Sequence, residues 1–388
     1  MNELLLTTDT VYGRQANTIS NGLLQVSVLR GGGHLVELRL VTTDPKLAIS
    51  PFYVPPYATI DPHIYDPTLH GNRFGYGAGA RLTAGYMGHM LCFPTFGSPT
   101  QSEIQHGFTY HGEALTAVWN EVRPPHLSPT QITIYCGADL VEAQYRVDRA
   151  VTLHANETVV FIEEWIENLA SFDRPFNRIQ HPTFGSPFVS PGKNMLDIPG
   201  TRGLITHRNA GGTLPSESEF QWPFVTDHEG TALSLRPFQS ARNSTTYYPV
   251  LLDPARLMSY FTLYNVEYPL LIGYIFPTSD NPWIVDWQDH NNVATAPWGG
   301  RNIARGIEFG NSPFDEGLRN SVERNSFFAT PTYQWIGARQ RLKTSFTIFL
   351  TATRSGFCGV QDVQPRSGQI VIIEQQTCNE YIVETCNF

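Results

Sequence analysis

The chain contains one hexapeptide twice: Pro94-Thr95-Phe96-Gly97-Ser98-Pro99 and Pro182-Thr183-Phe184-Gly185-Ser186-Pro187. Each copy has a histidine nearby, His106 seven positions after the first and His181 directly before the second. Imidazole has the side-chain pKa nearest neutrality, so two such turns could bring two proton donors, proton acceptors or hydrogen-bond clamps to one polar ligand. The same hexapeptide also suits a plain turn around a buried Phe, and the remaining segments must decide.

Four segments concentrate His, Arg, Asp, Glu and Trp among glycines and prolines, as binding loops on a rigid scaffold do. They are Asn72-Arg73, His106 to Glu113, Asn177 to His181 with Arg178 inside it, and Trp283 to Glu308. Glu308 stands between Ile307 and Phe309, an apolar setting that raises a carboxylate toward useful basicity. Asp286 and Trp287 supply a hydrogen-bonding group and an aromatic face of the kind that grips and stacks on sugars, or else belong to a core strand. A metal held by His106, His111 and Glu113 would need closer histidine spacing, and there is no His-x-His in the chain, so no metal is expected.

The elements that must position these groups read as strands. Gly 32 and Pro 28 stand beside 12% aromatic and only 16% charged residues, a balance that favours short strands joined by turns. Leu24, Val26 and Val28 alternate with polar residues, Gly31-Gly32-Gly33 interrupts, and Val36, Leu38 and Leu40 alternate again, which predicts a hairpin with one buried face. Five prolines between Ile49 and Tyr76 predict a long irregular loop there. Strand patterning returns at 117–119, 131–136, 145–153, 158–168, 270–276, 304–309 and 343–353, and only Asp315 to Asn325 reads as helical. No low-complexity or charged linker divides these segments. The expectation is an all-β chain, one large antiparallel β-sandwich domain over 1–388 closed by a C-terminal hairpin at about 365–388.

The order of motifs resembles a family. Pro94-Thr95-Phe96-Gly97 followed by His106-Gly107-Phe108, and Asn168-Leu169-Ala170-Ser171 followed by Pro175 and His181, look like aldose 1-epimerases (galactose mutarotases). So does Arg305-Gly306-Ile307-Glu308-Phe309, similar to the strand that carries the family's catalytic glutamate. The resemblance runs from about Leu23 to Thr353 and implies a large antiparallel sandwich that interconverts the α and β anomers of a free sugar without a cofactor. It implies Glu308 as the base on the anomeric hydroxyl and His181 as the acid on the ring oxygen, about a ligand's width apart. It also implies His106, or its rival His111, as a sugar contact and Arg73 as a hydroxyl clamp, with Arg178, Asp286 and Trp287 as further contacts. Arg73, His106 and His181 are then expected in one pocket. The chain lacks an Asp-His-x-Phe-type segment and adds Pro-rich loops without a family counterpart, so the sugar stays open.

Net charge is −9, with no Lys/Arg cluster, which argues against nucleic acid and anionic membrane as partners and leaves a small-molecule sugar. The N-terminus lacks a basic start and a long apolar core, so a soluble, cytoplasmic chain is expected. Five cysteines form no Cys-x-x-Cys pair and are expected reduced, a Cys378–Cys386 bridge being conceivable only in an oxidising compartment. The competing expectation is a carbohydrate-binding protein that keeps the sandwich and has lost turnover.

Overall fold

Alternating apolar residues turn one face of each long strand toward a shared interior. In the predicted hairpin, Leu24–Leu29 pairs with Leu35–Leu40 so that Val26 lies opposite Leu38, both fully buried. The computed structural model describes residues 3–207 and 214–386, and within them two antiparallel sheets dominate, one 13-stranded and one 9-stranded. Their facing surfaces form the main core, to which Val26, Leu38 and Phe309 come from the larger sheet and Ile162, Phe261 and Ile348 from the smaller. This is the sheet-on-sheet packing that the period of two requires, and the all-β expectation holds.

Five strands of the larger sheet matter for the site: β1 (His89–Cys92), β2 (Ile179–Gly185), β3 (Ser244–Leu252), β4 (Trp283–His290) and β5 (Ile303–Gly310). They lie side by side in the order β1-β2-β5-β4-β3, all antiparallel. One face of this group looks into the core; the other is roofed by the loops between Leu40 and His89, by 93–119 and by 291–302.

Several local expectations change. Three short helices, Pro67–Phe74, Ala80–Gly85 and Gln101–Gln105, join the expected one, observed as Leu318–Arg324. Two of them start with side-chain caps: the Asp66 side chain accepts from Thr68 N ahead of Pro67, and Thr100 with Glu103 forms a capping box. At 117–119 the expected strand is reduced to a bridge between Gly31 and Val118, because Trp119 turns inward and donates its indole N–H to Ala114 O. The C-terminal hairpin is a three-stranded sheet, Val360–Arg366, Gln369–Glu374 and Glu380–Glu384. It buries Val363, Ile370 and Ile372 against Tyr260, Leu271 and Phe349 on the outer face of the smaller sheet. All five cysteines are free thiols. No helix among the described residues is long and apolar enough to cross a membrane.

Candidate active site

The β2–β5 register settles where the two principal side chains go. Ile179 pairs with Gly310, Thr183 with Gly306 and Gly185 with Ala304, so His181 falls directly opposite Glu308. Directly opposed residues in an antiparallel pair hold their Cβ atoms about 5 Å apart, near enough for side chains to meet. They do: His181 Nε2 lies 3.1 Å from Glu308 Oε1, and both residues are buried. The ligand-width separation expected from the sequence is therefore not what the structure has. The acid and base touch because they are cross-strand neighbours.

Burial pushes the His181 imidazole down to about 4, so the ring is neutral at pH 7 even with a carboxylate beside it. On its other nitrogen, Nδ1 lies 3.1 Å from Thr183 Oγ1, and Thr183 Oγ1 lies 2.9 Å from the Tyr86 hydroxyl. Where Glu308 is ionised it can only accept hydrogen bonds, and the ring proton is then on Nε2. Thr183 then donates to Nδ1 and Tyr86 donates to Thr183. Burial raises the Tyr86 phenol well above its ordinary range, so Tyr86 remains a donor at neutral pH.

Above this pair lies a cleft of about 330 Å³, within the size range of small-molecule sites. Gly306 makes its floor possible: a Cβ there would sit 3.2 Å from the Trp287 ring, 3.3 Å from Glu308 Oε1 and 3.3 Å from the His181 ring. Tyr86, Trp287 and Trp298 form an aromatic wall, with Tyr86 edge-on to His181, Trp287 and Trp298. Asp289, Asp315, Tyr110, Tyr247 and Asn302 also line the cleft; Tyr110, Asp289 and Asn302 lie in segments expected to carry binding groups, whereas Asp315 and Tyr247 do not. Burial raises the Asp289 carboxyl to about 6, and its Oδ1 accepts from Asn302, itself held by the Tyr53 hydroxyl. Asp315 accepts a 2.6 Å hydrogen bond from Tyr110.

The duplicated hexapeptide does bring two imidazoles together, with His111 in the place expected for His106. Gly97 N donates to His111 Nδ1 at 3.0 Å, Phe96 stacks on the His111 ring, and the His111 and His181 rings lie 5.5 Å apart. Gly97 has φ +97°, and a Cβ there would sit 1.8 Å from Asp315 O, so only glycine lets the loop pass this closely beneath the 315 backbone. His106 instead caps the helix Gln101–Gln105, its Nδ1 bonded to Ser102 O at an exposed position outside the cleft.

Three other expected contacts lie elsewhere for simple geometric reasons. Arg73 is on the exposed helix Pro67–Phe74 and donates to Ala58 O. Asp286 and Trp287 are adjacent on β4, so they face opposite sides of the sheet; Trp287 enters the cleft while Asp286 is buried beneath it. Asp286 pairs with Arg305 at 2.6 Å and accepts from Tyr248. Arg178 lies an odd number of residues from His181 and faces away, donating to Asp280 O and Asn281 Oδ1.

Comparison with known proteins adds the fold and nothing finer. No family model matches the sequence, and no curated protein matches it. Solved structures do. A candidate aldose 1-epimerase from Klebsiella pneumoniae superposes with TM-score 0.62 at 14% identity, covering 88% of this chain and 80% of its own. A galactose mutarotase-like protein from Clostridium acetobutylicum gives TM-score 0.55 at 13% identity, covering 91% and 100%. A candidate mutarotase from Salmonella typhimurium gives 0.55 at 12%, covering 90% and 94%.

Proposed function

We propose that this chain, which has the galactose mutarotase-like fold, interconverts the anomers of a free or modified sugar by acid-base ring opening. The observation that carries the proposal is the His181–Glu308 couple on the floor of an aromatic-walled cleft. The structural neighbours named for aldose epimerisation and mutarotation support it at the level of fold. The bound sugar separates the couple. Glu308 takes the proton of the anomeric hydroxyl while the bond from C1 to the ring oxygen breaks and C1 becomes a carbonyl. The ring oxygen keeps the bonding pair and receives the proton from His181 Nε2, a role open to a neutral imidazole. The vacated Nε2 regains a proton from Glu308, so the couple ends as it began and one proton has moved from O1 to the ring oxygen. Rotation about the bond from C1 to C2 and reversal of the steps gives the other anomer. The chemistry calls for no cofactor.

Tyr86, Trp287 and Trp298 offer ring faces to the sugar's C–H surfaces, while His111, Asp289 and Asn302 offer groups to its hydroxyls. The test is a panel of free sugars whose anomer exchange is followed by NMR, parent against Glu308→Gln. Accelerated exchange that Glu308→Gln abolishes supports the proposal. Sugar binding without any acceleration by the parent favours a carbohydrate-binding protein on the same scaffold.

A further inference from the structure

Outside the cleft lining, the turn between the strands Tyr145–His154 and Val159–Asn168 meets Thr385 and Cys386. There His154, Glu157 and Cys386 bring an imidazole nitrogen, a carboxylate oxygen and a thiol within 4.8 Å of one another. We propose that these three side chains bind a zinc-class divalent ion that fastens the end of the C-terminal sheet to the sandwich.

The donor set fits such an ion. Nitrogen, oxygen and sulfur ligands are the ones zinc takes, with ligand atoms about 2.0–2.3 Å from the metal and so roughly 3.5 Å from each other. Reaching that geometry takes a closure of about 1 Å, which falls mainly to Cys386 at its exposed position. The other two ligands are already held. Asn21 donates through its side-chain amide to His154 O at 2.6 Å and to Glu157 O at 2.7 Å, clamping both backbone positions of the turn. Glu157 is 7% exposed and accepts from Cys386 N at 2.8 Å and from Thr385 Oγ1 at 3.0 Å. A carboxylate has about four acceptor positions, of which the backbone and Thr385 bonds take two, so an ion that displaces the Cys386 thiol proton finds lone pairs on Glu157. A bound ion replaces the thiol proton of Cys386. Water can complete four-coordination at the exposed side, and the ion would join turn to tail where Glu157 already receives the backbone of Cys386.

The test uses the full chain, reduced and stripped with chelator, titrated with Co(II) and then Zn(II). The expected result is one Co(II) per chain with a thiolate-to-cobalt band in the near ultraviolet, displaced by Zn(II), and a Tm raised by Zn(II). Cys386→Ser keeps the backbone bond to Glu157, so it should fold as the parent does while losing the band and weakening Zn(II) binding at least about tenfold. Cys378→Ser should leave both unchanged. His154→Ala should weaken binding as Cys386→Ser does. A band that survives Cys386→Ser, no thiolate band at all, or an equal Zn(II)-induced rise in Tm in parent and Cys386→Ser would each overturn the site.

Discussion

His181 Nε2 and Glu308 Oε1 lie 3.1 Å apart across the β2–β5 pair, and a sugar that uses both must come between them. Glu308→Gln keeps the side chain's shape and removes its basicity. Turnover of an accepted sugar should fall by about two to four powers of ten, the usual general-base contribution, while binding survives. Anomer exchange by NMR reads the first and calorimetry the second. A variant that turns over at the parent rate would move the base to Asp289 or Asp315, the other carboxylates in the cleft.

The buried histidines set how stability depends on pH. Burial lowers His34 and His89 well below the ordinary imidazole value and His181 to about 4, while in the unfolded chain all three titrate near 6.5. Between about 4 and 6.5 the unfolded state therefore binds more protons, so this contribution is fully present above 6.5 and lost as pH falls through that window. For His181 alone the loss is on the order of 3 kcal/mol. Asp289, raised to about 6, acts the other way, as do Glu113 and Asp197, whose carboxyls burial also raises, but burial lowers His154 as well and His34 and His89 most of all. The denaturant midpoint should drop between pH 7 and pH 4.5; a flat or rising midpoint would show that the histidines are not buried neutral.

Gly306 gives a steric test of the same floor. A methyl there already stands at 3.2–3.3 Å from Trp287, Glu308 and His181, tighter than ordinary contact, and the branched side chain of Val would project into the space a ring must use. Gly306→Val should abolish sugar binding measured by calorimetry with the circular dichroism spectrum kept. Unchanged affinity would place the sugar away from the His181–Glu308 floor.

The sequence carried the strand pattern and little of the cleft's composition. Period-two alternation located the long strands because each buries one face. The caps at Asp66 and Thr100 were equally visible, yet the prolines around the first hid its helix. His181, Glu308, His111 and Trp287 were findable because the repeated loop and the Ile-Glu-Phe strand mark them. The alternation that found the strands also forbids Asp286 and Trp287 from sharing a face, so the Asp286–Arg305 pair was open to prediction as a structural one. Asp315, Tyr86 and Tyr247 had no local mark, since their place in the cleft depends on β4 lying between β3 and β5 and on the 315 backbone crossing Gly97. Such long-range pairings leave no spacing rule in the chain.

Thr183 belongs to the second copy of the hexapeptide, and if His181 is the acid on the ring oxygen the Thr183 hydroxyl must hold the ring proton on Nε2. Its Oγ1 stands 3.1 Å from His181 Nδ1 and 2.9 Å from the Tyr86 hydroxyl. Thr183→Val keeps the shape, strands Tyr86 without its acceptor and leaves Nδ1 without its donor. A neutral ring free to place its proton on Nδ1 would turn the Nε2 lone pair toward Glu308 and have no proton for the ring oxygen. Turnover should fall by about one to three powers of ten, short of the roughly 10⁴ lost when a catalytic-triad histidine is held in the wrong tautomer, with KM nearly unchanged. Thr183→Ser restores the hydroxyl and should recover most of the rate. Long-range ¹H–¹⁵N correlation spectra should show the His181 proton on Nε2 in the parent and in Thr183→Ser, and shifted toward Nδ1 in Thr183→Val. The same tautomer in all three would mean that Thr183 packs against the ring without orienting it, whatever the rates prove to be.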